Sequence, residues 1–142
     1  MRSWPIRIAV LLTPGVLPAQ SAGSAPERST LAGVYTASQA TRGSDLYAMS
    51  CQSCHTPASH AGPEFTGKWT GRTLLELFEY IRTSMPKSEP GSLSRREYVL
   101  VLAYLLKLNG LPASASELPT DAEGLDRIRI AFKVTGTPTP PR

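Results

Sequence analysis

The placement of proline sets the strongest limit on what this chain can fold into. Thirteen prolines lie along 142 residues, four of them in the first 26 and three, Pro138, Pro140 and Pro141, in the last five. A proline inside a helix removes a backbone donor and clashes with the preceding turn, at about 3 kcal/mol or more. Helices therefore have to fit between the prolines. Three proline-free windows, 27–56, 64–85 and 91–111, are each long enough for one helix. The pattern predicts a small three-helix body with loose ends. With 41% hydrophobic and 18% charged residues, the chain can bury a core and is not a disordered one. A body of that size is marginal on its own apolar area.

The first window begins after a segment with export character. Arg2 and Arg7 give a basic start, Ile8 to Leu12 open an apolar stretch that runs on to Val16 and Leu17, and Pro18-Ala19 offers a small-residue cleavage site. This is the layout of a cleaved secretory signal over residues 1–19, and the apolar stretch falls well short of the ~20 residues a spanning helix needs. Cleavage near Ala19 leaves residues 20–142 as the mature, exported chain, expected in the periplasm with no membrane-spanning segment. Loss of Arg2 and Arg7 lowers the formal charge from +4 to +2. So small an excess gives no argument for nucleic-acid binding.

The chemistry is concentrated in Cys51-Gln52-Ser53-Cys54-His55. Cys-x-x-Cys-His is the attachment signature of a c-type haem. Two thiols three positions apart on one helical turn reach the two vinyl groups of a porphyrin, and the next residue lies under the iron with an imidazole nitrogen. A redox disulfide and half of a zinc site compete for the same residues. The disulfide reading lacks a βαβ pattern around it. A four-ligand zinc site lacks donors, because the chain has two cysteines and its only other histidine is His60.

A sixth iron ligand is sought among the methionines and histidines. Met1 leaves with the signal, and Met49 stands two residues before Cys51. Met85 lies thirty residues after His55, directly before Pro86, at a helix-to-loop junction. It is favoured over His60, which is too close to His55 to cross the ring. A core-filling role for Met85 is the competing reading.

The helices follow from caps and periodicity. The first is expected over Ala37–Gln52 with Thr36 as N-cap, presenting Gly43, Leu46, Tyr47 and Ser50 on one face. Gly43 costs a helix interior about 1 kcal/mol relative to alanine. It marks either a close helix crossing or a weak spot. Thr73-Leu74-Leu75-Glu76 and Ser94-Arg95-Arg96-Glu97 are capping boxes that start the second and third helices. The second carries Leu74, Leu77, Phe78 and Ile81 inward and stops near Ser84, because Pro86 disfavours a helical Met85. The third runs through nine consecutive apolar residues, Tyr98 to Leu106, and stops at Asn109-Gly110. A helix apolar all round and too short for a membrane has to be buried, against other helices or against a haem. A short helix is expected over 121–130, and the tail beyond Thr135 is expected to be flexible.

Together these residues resemble a class I monohaem cytochrome c of the bacterial periplasmic kind, with a looser likeness to the cytochromes that accompany quinoprotein alcohol-type dehydrogenases. The resemblance covers Val34 to Pro112. It rests on Gly33-Val34-Tyr35-Thr36, Arg42-Gly43, Cys51–His55, Gly62-Pro63, Trp69 to Thr73, Met85-Pro86 and Tyr104 to Gly110. It implies an all-α, class I cytochrome c fold, with three main helices and loops wrapped around one covalent haem c and its iron. It implies a flexible segment 20–33, a haem domain 34–112 and a C-terminal extension 113–142. Gly43 and Tyr47 would meet Tyr104 where the first and last helices cross. The Pro63 carbonyl would accept the second ring N–H of His55, and Trp69 would lie near a haem propionate. His55 and Met85 would hold the iron.

The function implied is electron transfer rather than catalysis, from a periplasmic redox enzyme such as a quinoprotein dehydrogenase to a downstream oxidase or cytochrome. The alternative is a haem peroxidase or gas sensor in which Met85 leaves the iron. Arg82, Lys87, Arg95 and Arg96 flank the Met85 loop, either to steer an acidic partner or simply as a solvated face.

Overall fold

The computed structural model describes residues 27–133. The expected signal, residues 1–19, and the tail from Thr135 lie outside them. The chain is mostly helical. A two-residue strand β1 (Arg28–Ser29) and a 3-10 turn lead into α1 (Ala37–Ser50), followed after a second 3-10 turn (Pro57–His60) by α2 (Gly62–Trp69). Then come α3 (Leu74–Ser84), α4 (Arg95–Leu108), the short α5 (Ala122–Asp126) and β2 (Ile128–Arg129). Among the described residues no helix is long and apolar enough to cross a membrane.

The caps read from the sequence form as hydrogen-bonded pairs. In α3 the Glu76 amide donates to Thr73 Oγ1 and the Thr73 amide to Glu76 Oε2 at 2.8 Å. In α4 the Ser94 and Glu97 pair does the same. At α1 the Thr36 cap is completed by Gln39, whose Oε1 accepts from the Thr36 amide at 3.1 Å. The helix ends near their expected places, α1 at Ser50 rather than Gln52 and α3 at Ser84.

The expected count of three main helices is corrected by α2. The window 64–85 holds two helices, not one. Pro63 does not break α2 but begins it, because a proline in the first turn costs no hydrogen bond and presets the backbone. The split between α2 and α3 falls at Thr70-Gly71, where Gly71 takes a φ of +83°.

The core forms where α1 crosses α4. Gly43 of α1 lies against the α4 backbone, so closely that a Cβ there would fall 1.9 Å from the Leu100 carbonyl oxygen and 3.0 Å from Tyr104 Cβ. Tyr47 packs on Tyr104 with ring centroids 5.2 Å apart. The crossing reading of Gly43 is the one that the structure supports.

The expected limits 34–112 are too narrow. Leu118, Leu125, Ile128 and Ile130 are all buried, as is Thr30 on the N-terminal side. Arg28 to Thr30, within the segment 20–33 expected to be flexible, are held by the chain from Arg127 to Ala131. The strands pair in parallel, Arg28 with Ile128 and Ser29 with Arg129. Thr30 Oγ1 donates to the Ala131 carbonyl at 2.8 Å and accepts from its amide at 2.9 Å. The strand also closes on the α2–α3 junction, where the Gly71 amide donates to the Ile130 carbonyl and the Ile130 amide to the Arg72 carbonyl. The short helix expected over 121–130 ends at Asp126, with Asp121 as its cap, since Ile128 and Arg129 are taken by this pairing. Gln39 ties the extension to α1, its Oε1 accepting from the Leu118 amide at 2.9 Å and its Nε2 donating to the Leu118 carbonyl.

Candidate functional site

The Cys51–His55 motif continues the last turn of α1. The Cys51 and Gln52 amides both donate to the Tyr47 carbonyl, and the Cys54 and His55 amides both donate to the Cys51 carbonyl. Tyr47 Oη donates to the His55 and Thr56 carbonyls, 3.3 Å from each. The segment is thus wound tightly on α1 and fixed from below by a buried phenol. Burial, then the neighbouring Cys51 and Tyr104, pushes the Tyr47 phenol up to about 12, so it stays a donor across the physiological range. Both thiols are free, Cys51 half-buried and Cys54 exposed, and burial pushes the Cys51 thiol up.

A cavity of about 300 Å³ opens beside this turn. Cys51, Cys54, His55, Trp69 and Met85 all line it. Its apolar lining comes from Phe65 on α2, Leu77 and Ile81 on α3, and Val101 and Leu105 on α4. This explains the nine-residue apolar run of α4: one stripe faces the cavity while the rest faces α1 and α3.

Met85 is the C-cap of α3, its amide donating to the Ile81 carbonyl at 2.8 Å and its carbonyl accepting from Tyr98 Oη at 2.7 Å. His60 also lines the cavity, but its ring is 4.8 Å from that of His55, centroid to centroid. The two imidazoles are in contact, and no porphyrin plane passes between them. Burial first, then His55, holds the His60 imidazole below its ordinary range. Its carbonyl accepts from Asn109 Nδ2 at 2.9 Å.

Pro63 is not brought to the site. It is exposed, absent from the cavity lining, and its carbonyl accepts from Thr66 Oγ1 at 3.2 Å within the first turn of α2. The expected contact with His55 is replaced by helix formation: a carbonyl in the first turn of α2 points along that helix. Trp69 is buried and carries a cluster unread in the sequence. Tyr80 packs edge-on to it at 5.4 Å, Lys68 Nζ sits 3.9 Å from the Tyr80 centroid, and the Arg72 guanidinium stacks over Trp69 at 5.4 Å. The i, i+4 spacing of Phe65 and Trp69 was the available signal for α2 and its inward face.

Of the four cations around the Met85 loop, only Lys87 lines the cavity. Arg82 is engaged by Glu79 at 2.7 Å. Arg95 stacks on Phe78 at 4.4 Å and donates to the Thr120 carbonyl.

The donor set decides which group the cavity suits. Among the described residues no three His, Cys, Asp or Glu side chains are grouped to hold a metal ion directly, so a zinc site has no geometry here. Two free thiols at the rim of one largely apolar cavity, with imidazole and thioether side chains also lining it, fit a haem attached through Cys51 and Cys54.

The comparison with curated proteins and that with solved structures gave no match. Residues 38–105 match the family model described as cytochrome C oxidase, cbb3-type, subunit III. The matched segment runs from the first turn of α1 to Leu105 on α4, so it contains the Cys-x-x-Cys-His turn, Met85 and the helix crossing. It supports a c-type cytochrome domain, and such a domain carries covalently bound haem c with its iron, in keeping with Cys51 and Cys54.

Proposed function

We propose that this protein is a class I monohaem cytochrome c that carries single electrons, with His55 and Met85 as the axial ligands. The observation that carries the reading is that Cys51, Cys54, His55 and Met85, the last thirty residues away in sequence, line one cavity. Haem c supplies one-electron exchange at iron, and a thioether ligand favours the reduced form over a second imidazole.

The chain's own residues limit the cost of that exchange. Tyr47 and the α1 turn hold the His55 backbone, and the α3 cap holds Met85. Trp69, Leu77, Val101 and Leu105 give the pocket an apolar wall, with few polar groups to reorganise when charge changes. Cys54 is exposed, and an edge of the group beside it would be the contact surface for partners. Lys87, at the cavity and exposed, suits a weak, short-lived encounter with an acidic partner. The partners proposed are a periplasmic dehydrogenase of the quinoprotein type as donor and an oxidase or second cytochrome as acceptor. Export through the signal at residues 1–19 places the protein with them.

The test uses protein made with the haem-attachment machinery. A pyridine haemochrome spectrum should show one haem with two thioether links. Met85→Ala should lower the potential and open the iron to added ligands. An unchanged spectrum in that variant rejects Met85 as a ligand, and the absence of haem rejects the whole reading. A quinoprotein dehydrogenase that reduces the protein at a useful rate supports the donor assignment, and its failure rejects that assignment alone.

A further inference from the structure

Tyr98 stands in the first turn of α4, in a part of the sequence that offered only helix and core. It is 1% exposed, and its ring packs edge-on against Phe78 at 6.0 Å. Its hydroxyl does two things at once. It donates to the Met85 carbonyl at 2.7 Å and accepts from the Gly91 amide at 3.0 Å. These two backbone groups belong to the loop that joins α3 to α4, one at its first residue and the other six residues on. The loop is folded by its own turns, with the Glu89 amide on the Pro86 carbonyl and the Ser92 amide on the Glu89 carbonyl. One phenol oxygen therefore joins two separate points of the loop to the rigid start of α4, which is itself fixed by the Ser94 and Glu97 capping box.

We propose that Tyr98 is the positioning residue of the sixth ligand: its hydroxyl clasps the Met85–Gly91 loop shut and so holds the Met85 thioether in the haem cavity against competing ligands. The proposal rests on Met85 being that ligand. Tyr98 does not line the cavity and touches no part of the haem site directly; it acts through the backbone of Met85. For an outside ligand to reach the iron, the loop has to lift and both hydrogen bonds have to break. Removing the hydroxyl leaves the ring packing in place and lowers only the cost of opening. Two lost, part-buried hydrogen bonds to the loop backbone correspond to an opening equilibrium raised on the order of tenfold. Apparent affinity scales with the open fraction, so it should rise by the same factor.

The experiment is a titration of the ferric, haem-loaded protein with imidazole, followed by its visible spectrum. Tyr98→Phe should bind imidazole about tenfold more tightly than the wild type. Tyr35→Phe is the control. Its hydroxyl is equally buried and donates to the Leu111 carbonyl at 2.6 Å, but it lies away from the Met85 loop. It should lose comparable stability and leave imidazole affinity unchanged. In a Met85→Ala background the Tyr98→Phe effect should vanish, because no ligand is left for the loop to hold. A Tyr98→Phe gain no larger than that of Tyr35→Phe, or one that persists with Met85→Ala, overturns the proposal. The two levels separate cleanly. Met85→Ala with an unchanged spectrum removes the ligand assignment and this proposal with it. Met85→Ala with an altered spectrum and a silent Tyr98→Phe removes this proposal alone.

Discussion

Gly43 of α1 and Leu100 of α4 meet backbone to backbone. A Cβ at position 43 would lie 1.9 Å from the Leu100 carbonyl oxygen, which no side-chain rotation can relieve. The two contributions to a Gly43→Ala change have opposite signs. Helix propensity favours alanine by about 1 kcal/mol. Overpacking typically costs 1–3 kcal/mol, and here the obstacle is backbone, so the upper part of that range applies. The expected result is a net loss of about 1–2 kcal/mol in urea unfolding of the haem-loaded protein. A stabilised variant would mean that α1 and α4 are not in this contact.

Gln39 offers a second test of the packing. It is 4% exposed and makes three backbone contacts, with Thr36 as its capping partner and with both polar groups of Leu118. Gln39→Leu keeps the bulk and strands the buried Leu118 amide and carbonyl. A loss of about 1–3 kcal/mol is expected in the same unfolding measurement. If the loss falls below that seen for an exposed cap, the extension is not held by this amide.

Gln39 also shows what was legible in the sequence and what was not. Thr36, Thr73 and Ser94 were readable as caps because a cap is a local device, satisfied within three residues. The Cys51–His55 motif and the Met85-Pro86 junction were readable because their chemistry is written in residue type and order. Gln39 to Leu118, Thr30 to Ala131 and Tyr98 to Met85 are not local, and no spacing rule connects such pairs. Pro63 misled in a different way. The same proline ends a helix from inside and begins one from its first turn, and the neighbouring Gly62, at a φ of +78°, is what allows the second outcome.

The extension beyond Pro112 is part of the folded body. Leu118, Leu125, Ile128 and Ile130 are buried with the core, and β2 is hydrogen-bonded to both the N-terminal segment and the α2–α3 junction. A chain ending at Pro112 would expose apolar surface on α1 and α3 and leave the Gly71 and Arg72 backbone groups without partners. It is expected to give little folded haem protein, and what does fold should unfold at a lower temperature than the full chain. Thermal melts followed at the haem band check both. Equal yield and stability of the shortened and the full chain would return the domain limit to Pro112.

Acid should weaken the start of α4 first. Glu97 has its carboxyl held below the usual carboxylate range by the hydrogen bonds from Ser94, whose amide donates to Oε2 at 2.7 Å. A carboxyl depressed on folding adds stability that is complete above its unfolded pKa and is lost as pH falls through the folded one. Wild-type protein and Glu97→Gln should therefore differ at neutral pH. The difference should shrink below about pH 4.3, the unperturbed glutamate value, as the wild-type carboxyl takes up its proton. Gln still accepts from the Ser94 amide in a capping box, so the neutral-pH gap should be small. Urea midpoints of both proteins from pH 3 to pH 7 measure this directly. A gap that stays constant across that range would show that the Glu97 charge contributes nothing to α4, and that the cap works through hydrogen-bond geometry alone.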